Sequence, residues 1–181
     1  MKVQKNIQRR NHWLKQPLRS QHYRRWLIDN GSLTARLQQG FADFAVKPIN
    51  LKYAKPLRDE VALLQHKPQQ RALIREVLLI GKKTPVVFAH SVLPSNALRG
   101  SWNKLGRLGN KPLGATLFAN PKVKRTPLEY KKLSQKHPLF LRATQQISQK
   151  PTFLWARRSV FSLNCANILV TEVFLPQILI K

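Results

Sequence analysis

The 181-residue chain predicts a single α+β domain built on an antiparallel sheet. Three observations lead there. Its strand-like segments come in consecutive pairs joined by short turns, its helix-like segments are inserted between those pairs, and no internal repeat is present. A doubly wound parallel sheet would instead alternate single strands with single helices. Hydrophobic content of 43% without low-complexity bias is enough for one core at this length.

Residues 1–20 read as a basic arm, with Arg9, Arg10, Lys15 and Arg19 around an apolar anchor at Trp13 and Leu14. Residues 21–181 form the domain. Arg24 to Asp29 has a helical setting that Asn30 and Gly31 stop. Ser32 is a good N-cap for a helix over Leu33 to Gln39, with Gly40 as its stop. Phe41 to Lys55 reads as one strand, or as two short ones around Pro48. Ala72 to Ile80 and Val86 to Leu93 form a hairpin of long, mostly buried strands. Ala97 to Leu108 is a helix weakened by Gly100 and Gly106. Pro112 suits the start of a short helix running to about Phe118. Thr126, Pro127 and Glu129 have the form of a cap, a first-turn proline and a capping-box acid, which predicts a helix to about Gln135, closed by His137 and Pro138. Leu141 to Gln149 is one more short helix, and Leu154 to Pro176 is a closing hairpin.

Charge is the dominant feature of the composition. Lys and Arg number 33 against seven acids, for a net charge of +26. Such a field draws polyanions, or a small anionic substrate. The basic residues are scattered, with no zinc-finger spacing, aromatic strand pair or basic zipper, so no specific nucleic-acid partner is expected. No run approaches the ~18 apolar residues of a membrane helix, and the N-terminus lacks a signal-peptide core. A cytoplasmic protein is expected. Peripheral attachment to an anionic membrane stays open, and a monomer is expected. The single Cys165 sits in a turn without a matching His or Cys cluster, so no metal is expected.

Nucleotide loops, zinc motifs, nucleophile elbows and CxxC pairs are absent. What remains is a sparse set. In Ile168 to Leu175, alternation puts Glu172 on one face with Ile168, Val170 and Phe174. A carboxylate there needs a cation, hydrogen bonds or a proton. It is a site candidate, and with equal weight a structural ion pair or a solvated strand edge. In Ala72 to Ile80, Arg75 alternates with Leu73, Val77 and Leu79, while Glu76 alternates with Ile74, Leu78 and Ile80. One of those charges must meet the core or a pocket. Arg75 suits a carboxylate on a ligand, or pairs with Glu76 or Glu172. The amides of Leu33 and Leu113 begin helices and have no partner inside them, so they can meet an anion or only water. Of the five histidines only His90 lies in a strand where it can line a site, and a satisfied core histidine is the other reading.

LIDNGSLTARLQQ, the LIREVLLI strand, the LGNKPLGATLF turn, and above all LWARRSVF followed by LVTEVFLP resemble chorismate pyruvate-lyase over roughly residues 20–176. The resemblance implies an antiparallel sheet of about six strands with helical flaps over an enclosed ligand site. It implies a carbon–oxygen lyase that removes pyruvate from chorismate to give 4-hydroxybenzoate, the entry to the ubiquinone ring, with no metal or organic cofactor. It places the product carboxylate on Arg75 and the amides of Leu33 and Leu113, and the phenolic oxygen on Glu172. Arg75 and Glu172 are then the catalytic pair. His90 stands where some relatives have an arginine facing the site and is kept as a further candidate, with the holder of chorismate's second carboxylate unassigned. The alternative is a non-catalytic aromatic-acid sensor, because the fold implied also resembles GntR-type effector-binding domains.

Overall fold

The computed structural model describes residues 13–65, 67, 69–145 and 147–180; Arg9, Arg10, His12 and His66 lie outside them. Among the described residues the strands are β1 (Ala45–Ala54), β2 (Ala72–Gly81), β3 (Thr84–Pro94), β4 (Lys124–Arg125), β5 (Glu129–Ser134), β6 (Phe153–Leu163) and β7 (Ala166–Phe174). The α-helices are α1 (Arg24–Leu27), α2 (Leu33–Gly40), α3 (Arg58–Leu63), α4 (Ser95–Arg99), α5 (Leu113–Ala119) and α6 (Pro138–Thr144). One open antiparallel sheet runs in the order β1-β2-β3-β7-β6, and β4 and β5 both pair with the outer edge of β6. The α+β class is as expected, with seven strands where about six were anticipated.

Both long hairpins close through two-residue turns in the left-handed region. Lys82 and Lys83 have φ of 51° and 58°, and Asn164 and Cys165 have 48° and 62°. These turns match the right-handed twist of paired strands. The Asp43 carboxylate accepts from the Lys82 and Lys83 amides at 2.8 and 2.6 Å, which offsets part of the cost of a non-glycine turn. Pro48 does not split the first strand. β1 runs through it with a register shift between Pro48 and Asn50.

Register fixes two faces. Arg75, Ser91, Val170 and Ser159 lie in one cross-strand row, and Val77, Ala89, Glu172 and Arg157 lie in the next row on the same face. The α1 and α2 helices pack on this face with Trp26, Leu27, Leu33 and Leu37 against Val77, Leu79, Trp155 and Phe174. Further along it, Trp102, Leu105, Leu113 and Leu117 pack on Leu73, Leu93, Phe161 and Ile168. The opposite face carries Ile74, Leu78, Phe88, Val173 and Leu154, covered by α6 and by Leu64 after α3. Covering on both sides explains why β2 and β6 read as nearly unbroken buried runs.

Two expectations fail at the β6 edge. Within residues 127–135, Glu129–Ser134 form β5 instead of a helix, because Tyr130 and Leu133 enter the ladder against Arg157 and Leu154 and bury there. A local capping pattern is worth about 1 kcal/mol, less than a six-residue ladder in which three residues are buried. Thr126 spends its hydroxyl on the sheet, accepting from the Val160 amide at 3.0 Å. His137 and Pro138 then begin α6 instead of ending a helix. The His137 Nδ1 accepts from the Leu139 amide at 3.2 Å, and proline occupies the first turn. The helix expected over 97–108 is also shorter, with α4 ending at Arg99 before Gly100 and a 3-10 turn at Leu105–Arg107.

Trp13 is buried and its indole donates to Asp59 Oδ2 at 2.7 Å, while Leu14 bridges to Tyr130. These residues pack on the sheet's outer edge.

Candidate active site

The polar row between the two apolar clusters is where a cavity lies. Its floor is β2, β3, β7 and β6, presenting Arg75, Ser91, Glu172 and Ser159 among Val77, Ala89 and Val170. Its roof is the start of α2 with Leu33 and Thr34, the start of α5 with Pro112, Leu113 and Gly114, and the side chains of Leu117, Phe118 and Arg125. The two helix starts meet closely. A Cβ on Gly114 would stand 3.0 Å from the Thr34 hydroxyl oxygen, so glycine is what lets α5 sit against α2.

Arg75 is 5% exposed. Its Nη2 donates to the carbonyls of Gly109 at 2.9 Å and Lys111 at 3.0 Å, which anchors the turn leading into α5. Gly109 takes φ of +53° there, a conformation suited to glycine. Among the described residues no carboxylate lies within ion-pair distance of Arg75. Burial pushes its guanidinium down from the usual range. An unpaired cation on a cavity wall is costly unless an anion arrives.

Glu172 has a cation already. Its Oε2 accepts from Arg157 Nε. Arg157 is fully buried, and its Nη1 donates to the carbonyls of Trp26 at 2.9 Å, Leu27 at 3.3 Å and Asp29, at the end of α1. Arg157 therefore holds Glu172 in place from below while belonging to the helix end. The other Glu172 oxygen has no hydrogen-bond partner among the described residues. It belongs to the part of the carboxylate left for the cavity.

The structure brings Arg75, Glu172, Leu33 and Leu113 to one cavity and leaves His90 out. His90 is on the opposite face, because it pairs with Glu76 and Thr171 in the alternate rows. There it is buried, with Nδ1 2.9 Å from Glu76 Oε1 and Nε2 3.1 Å from Glu60 Oε1. Glu76 also accepts from Asn50 and Arg142, so the pairing of Arg75 with Glu76 does not form. His90 and Glu76 are a charged core network behind the site.

Burial alone would lower the His90 pKa, but the charges and hydrogen bonds of Glu60 and Glu76 outweigh it and raise it to about 9. Burial would raise Glu76, but the hydrogen bonds of His90 and Asn50 and the charges of His90 and Arg142 bring it to about 2. A raised histidine stabilises the fold fully below its unfolded value near 6.5 and loses that contribution as pH climbs through about 9. A depressed glutamate contributes above about 4.5 and loses it toward pH 2. Urea midpoints should therefore fall on the alkaline side between pH 7 and about 9.5, and His90→Gln should flatten that limb. An unchanged alkaline slope in the variant would assign the loss elsewhere.

Three site residues escaped sequence reasoning. Arg157 and Ser159 lie in phase with each other in LWARRSVF, so the alternation that exposed Glu172 could have placed them on one face. Arg125 comes from a two-residue strand, which has no period to read.

A model of the chorismate lyase family matches residues 8–181. The chain belongs to that family. It is 49% identical over 170 residues to a protein of Methylobacillus flagellatus named "Probable chorismate pyruvate-lyase", covering 94% of this chain and 96% of that one. A Nitrosospira multiformis protein of the same name is 52% identical over 157 residues, 86% and 87% of the two chains. Chorismate lyase family membership makes the chain a lyase with a small-molecule substrate. Among solved structures it is similar to a GntR-family transcriptional regulator from Bacillus cereus, with TM-score 0.56, 13% identity, and 75% and 93% of the two chains covered. The effector domain of PhnF from Mycobacterium smegmatis gives 0.55 and 13%, with 81% and 90% covered. That likeness concerns the fold. Among the described residues no helix is long and apolar enough to cross a membrane.

Proposed function

We propose that the chain converts chorismate to 4-hydroxybenzoate and pyruvate. The observation that carries this is a buried guanidinium without a carboxylate partner, Arg75, on the same cavity as the Glu172 carboxylate. Their strands stand two spacings apart, about 10 Å, which suits one six-membered ring with a carboxylate at one end and an oxygen at the other. The ring carboxylate binds Arg75 in a charge-assisted contact, with the Leu33 and Leu113 amides beside it. Glu172 accepts a hydrogen bond from the ring hydroxyl at the far end.

In the reaction the ether bond between ring and side chain breaks and its electron pair stays with the side-chain oxygen. The hydrogen on the ring carbon bearing the hydroxyl leaves as a proton, and the ring becomes aromatic. The departing enolate of pyruvate then takes one proton on its methylene carbon, which balances the one lost from the ring. Aromatisation supplies the driving force, so orientation and charge stabilisation suffice and the reading requires no cofactor. A cytoplasmic enzyme feeding ubiquinone ring synthesis is part of this reading.

Purified protein given chorismate without added metal should release pyruvate and 4-hydroxybenzoate in equal amounts, followed by coupling pyruvate to NADH oxidation. Tight binding of 4-hydroxybenzoate with no pyruvate formed would overturn the lyase in favour of an aromatic-acid sensor.

A further inference from the structure

We infer that Arg125 binds the second carboxylate of the substrate, the one on the side chain that leaves. This rests on the function proposed above and adds the residue that function lacked. Chorismate carries two carboxylates, and one is assigned to Arg75. From β2 to β6 is three strand spacings, about 14 Å, so a group over β6 is beyond Arg75. Among the residues lining the cavity the charged ones are Arg75, Arg125 and Glu172. His90 is on the other face, and Arg157, whose Nε donates to Glu172 and whose Nη1 donates to the carbonyls of Trp26, Leu27 and Asp29, does not line the cavity. Arg125 is the remaining cation there.

Its setting is built for an anion. The guanidinium carbon lies 5.1 Å from the Phe161 ring centre and 5.4 Å from that of Phe118. Nε donates to Ser159 Oγ at 2.7 Å and Nη1 to the Asn30 carbonyl at 2.8 Å. Those bonds fix the fork, and Nη2 has no partner among the described residues. No carboxylate lies within ion-pair distance of it among those residues either. Burial pushes its pKa down from the usual arginine range, and the Glu172 charge works against that push, so the two groups share one electrostatic environment. A carboxylate bound there would sit beside the ether that breaks, where negative charge gathers on the departing oxygen. The same guanidinium then serves binding and departure.

Arg125→Met keeps an apolar stem between the two rings and removes the fork, and Arg125→Lys keeps the charge. The measurements are KM and kcat for chorismate by pyruvate release, and the inhibition constant of 4-hydroxybenzoate, which lacks the second carboxylate. The expected result for Arg125→Met is a KM raised roughly thirtyfold or more with kcat lowered, as for a truncated charge pair, while 4-hydroxybenzoate binds as in the parent. Arg125→Lys should fall between. An unchanged KM, or an inhibition constant that worsens in step with KM, overturns the assignment. Unaltered product binding also shows that the variant site is folded. Failure of the parent reading looks different: the unsubstituted protein would release no pyruvate. The affinity of intact chorismate relative to 4-hydroxybenzoate, in parent and Arg125→Met, then still decides what Arg125 holds.

Discussion

Arg75→Ala is expected to lower kcat/KM for chorismate by about 10²–10³-fold, the usual cost of removing one preorganised charge-stabilising donor. Two losses combine. The ring carboxylate forfeits its buried cation, and the Gly109 and Lys111 carbonyls lose the Nη2 that fixes the turn before α5. Slackening that turn moves the Leu113 amide, so affinity for 4-hydroxybenzoate should fall together with turnover. This separates Arg75 from Arg125, whose removal is expected to spare the product. Arg75→Lys should recover only part, because an ammonium cannot hold two carbonyls and a carboxylate in one plane. Steady-state pyruvate release beside product binding by titration gives both quantities. A variant as active as the parent would remove Arg75 from the site.

The parts of this site that were legible in the sequence are those governed by period two. The alternation in Ile168 to Leu175 put Glu172 inward with Val170 and Phe174, and the ladder places it so. In Ala72 to Ile80 the same rule separated Arg75 from Glu76, without saying which faced a ligand, since both faces of β2 are buried. That choice depends on what covers each face. Helices α2 and α5 leave a gap over Arg75, whereas Glu76 meets His90, Asn50 and Arg142. His90 shows the limit of analogy by position. In a strand, one step of register is a change of side, and partner register is not written in the strand itself. The segment at 129–134 departs from the expected helix for a related reason. Its cap-like residues are local, but the exposed edge of β6 that recruits it is a long-range demand.

Holding Glu172 in place is costly if its counter-ion is lost, and Arg157→Met should show this as a large loss of stability. A loss of about 3–5 kcal/mol is expected, the range for removing one partner of a buried ion pair. Glu172 would keep its position without its cation, and the carbonyls of Trp26, Leu27 and Asp29 would lose their shared donor. The two contributions can be separated. If the orphaned carboxylate dominates, adding Glu172→Gln to Arg157→Met should recover a large part of the loss, although Glu172→Gln alone is destabilising. Urea unfolding of the parent, both single variants and the double variant measures the coupling directly. A double variant no more stable than Arg157→Met would assign the cost to the α1 carbonyls, making Arg157 chiefly a helix anchor. A recovered double variant would show that the carboxylate facing the substrate is kept in the sheet by a cation that never touches the substrate.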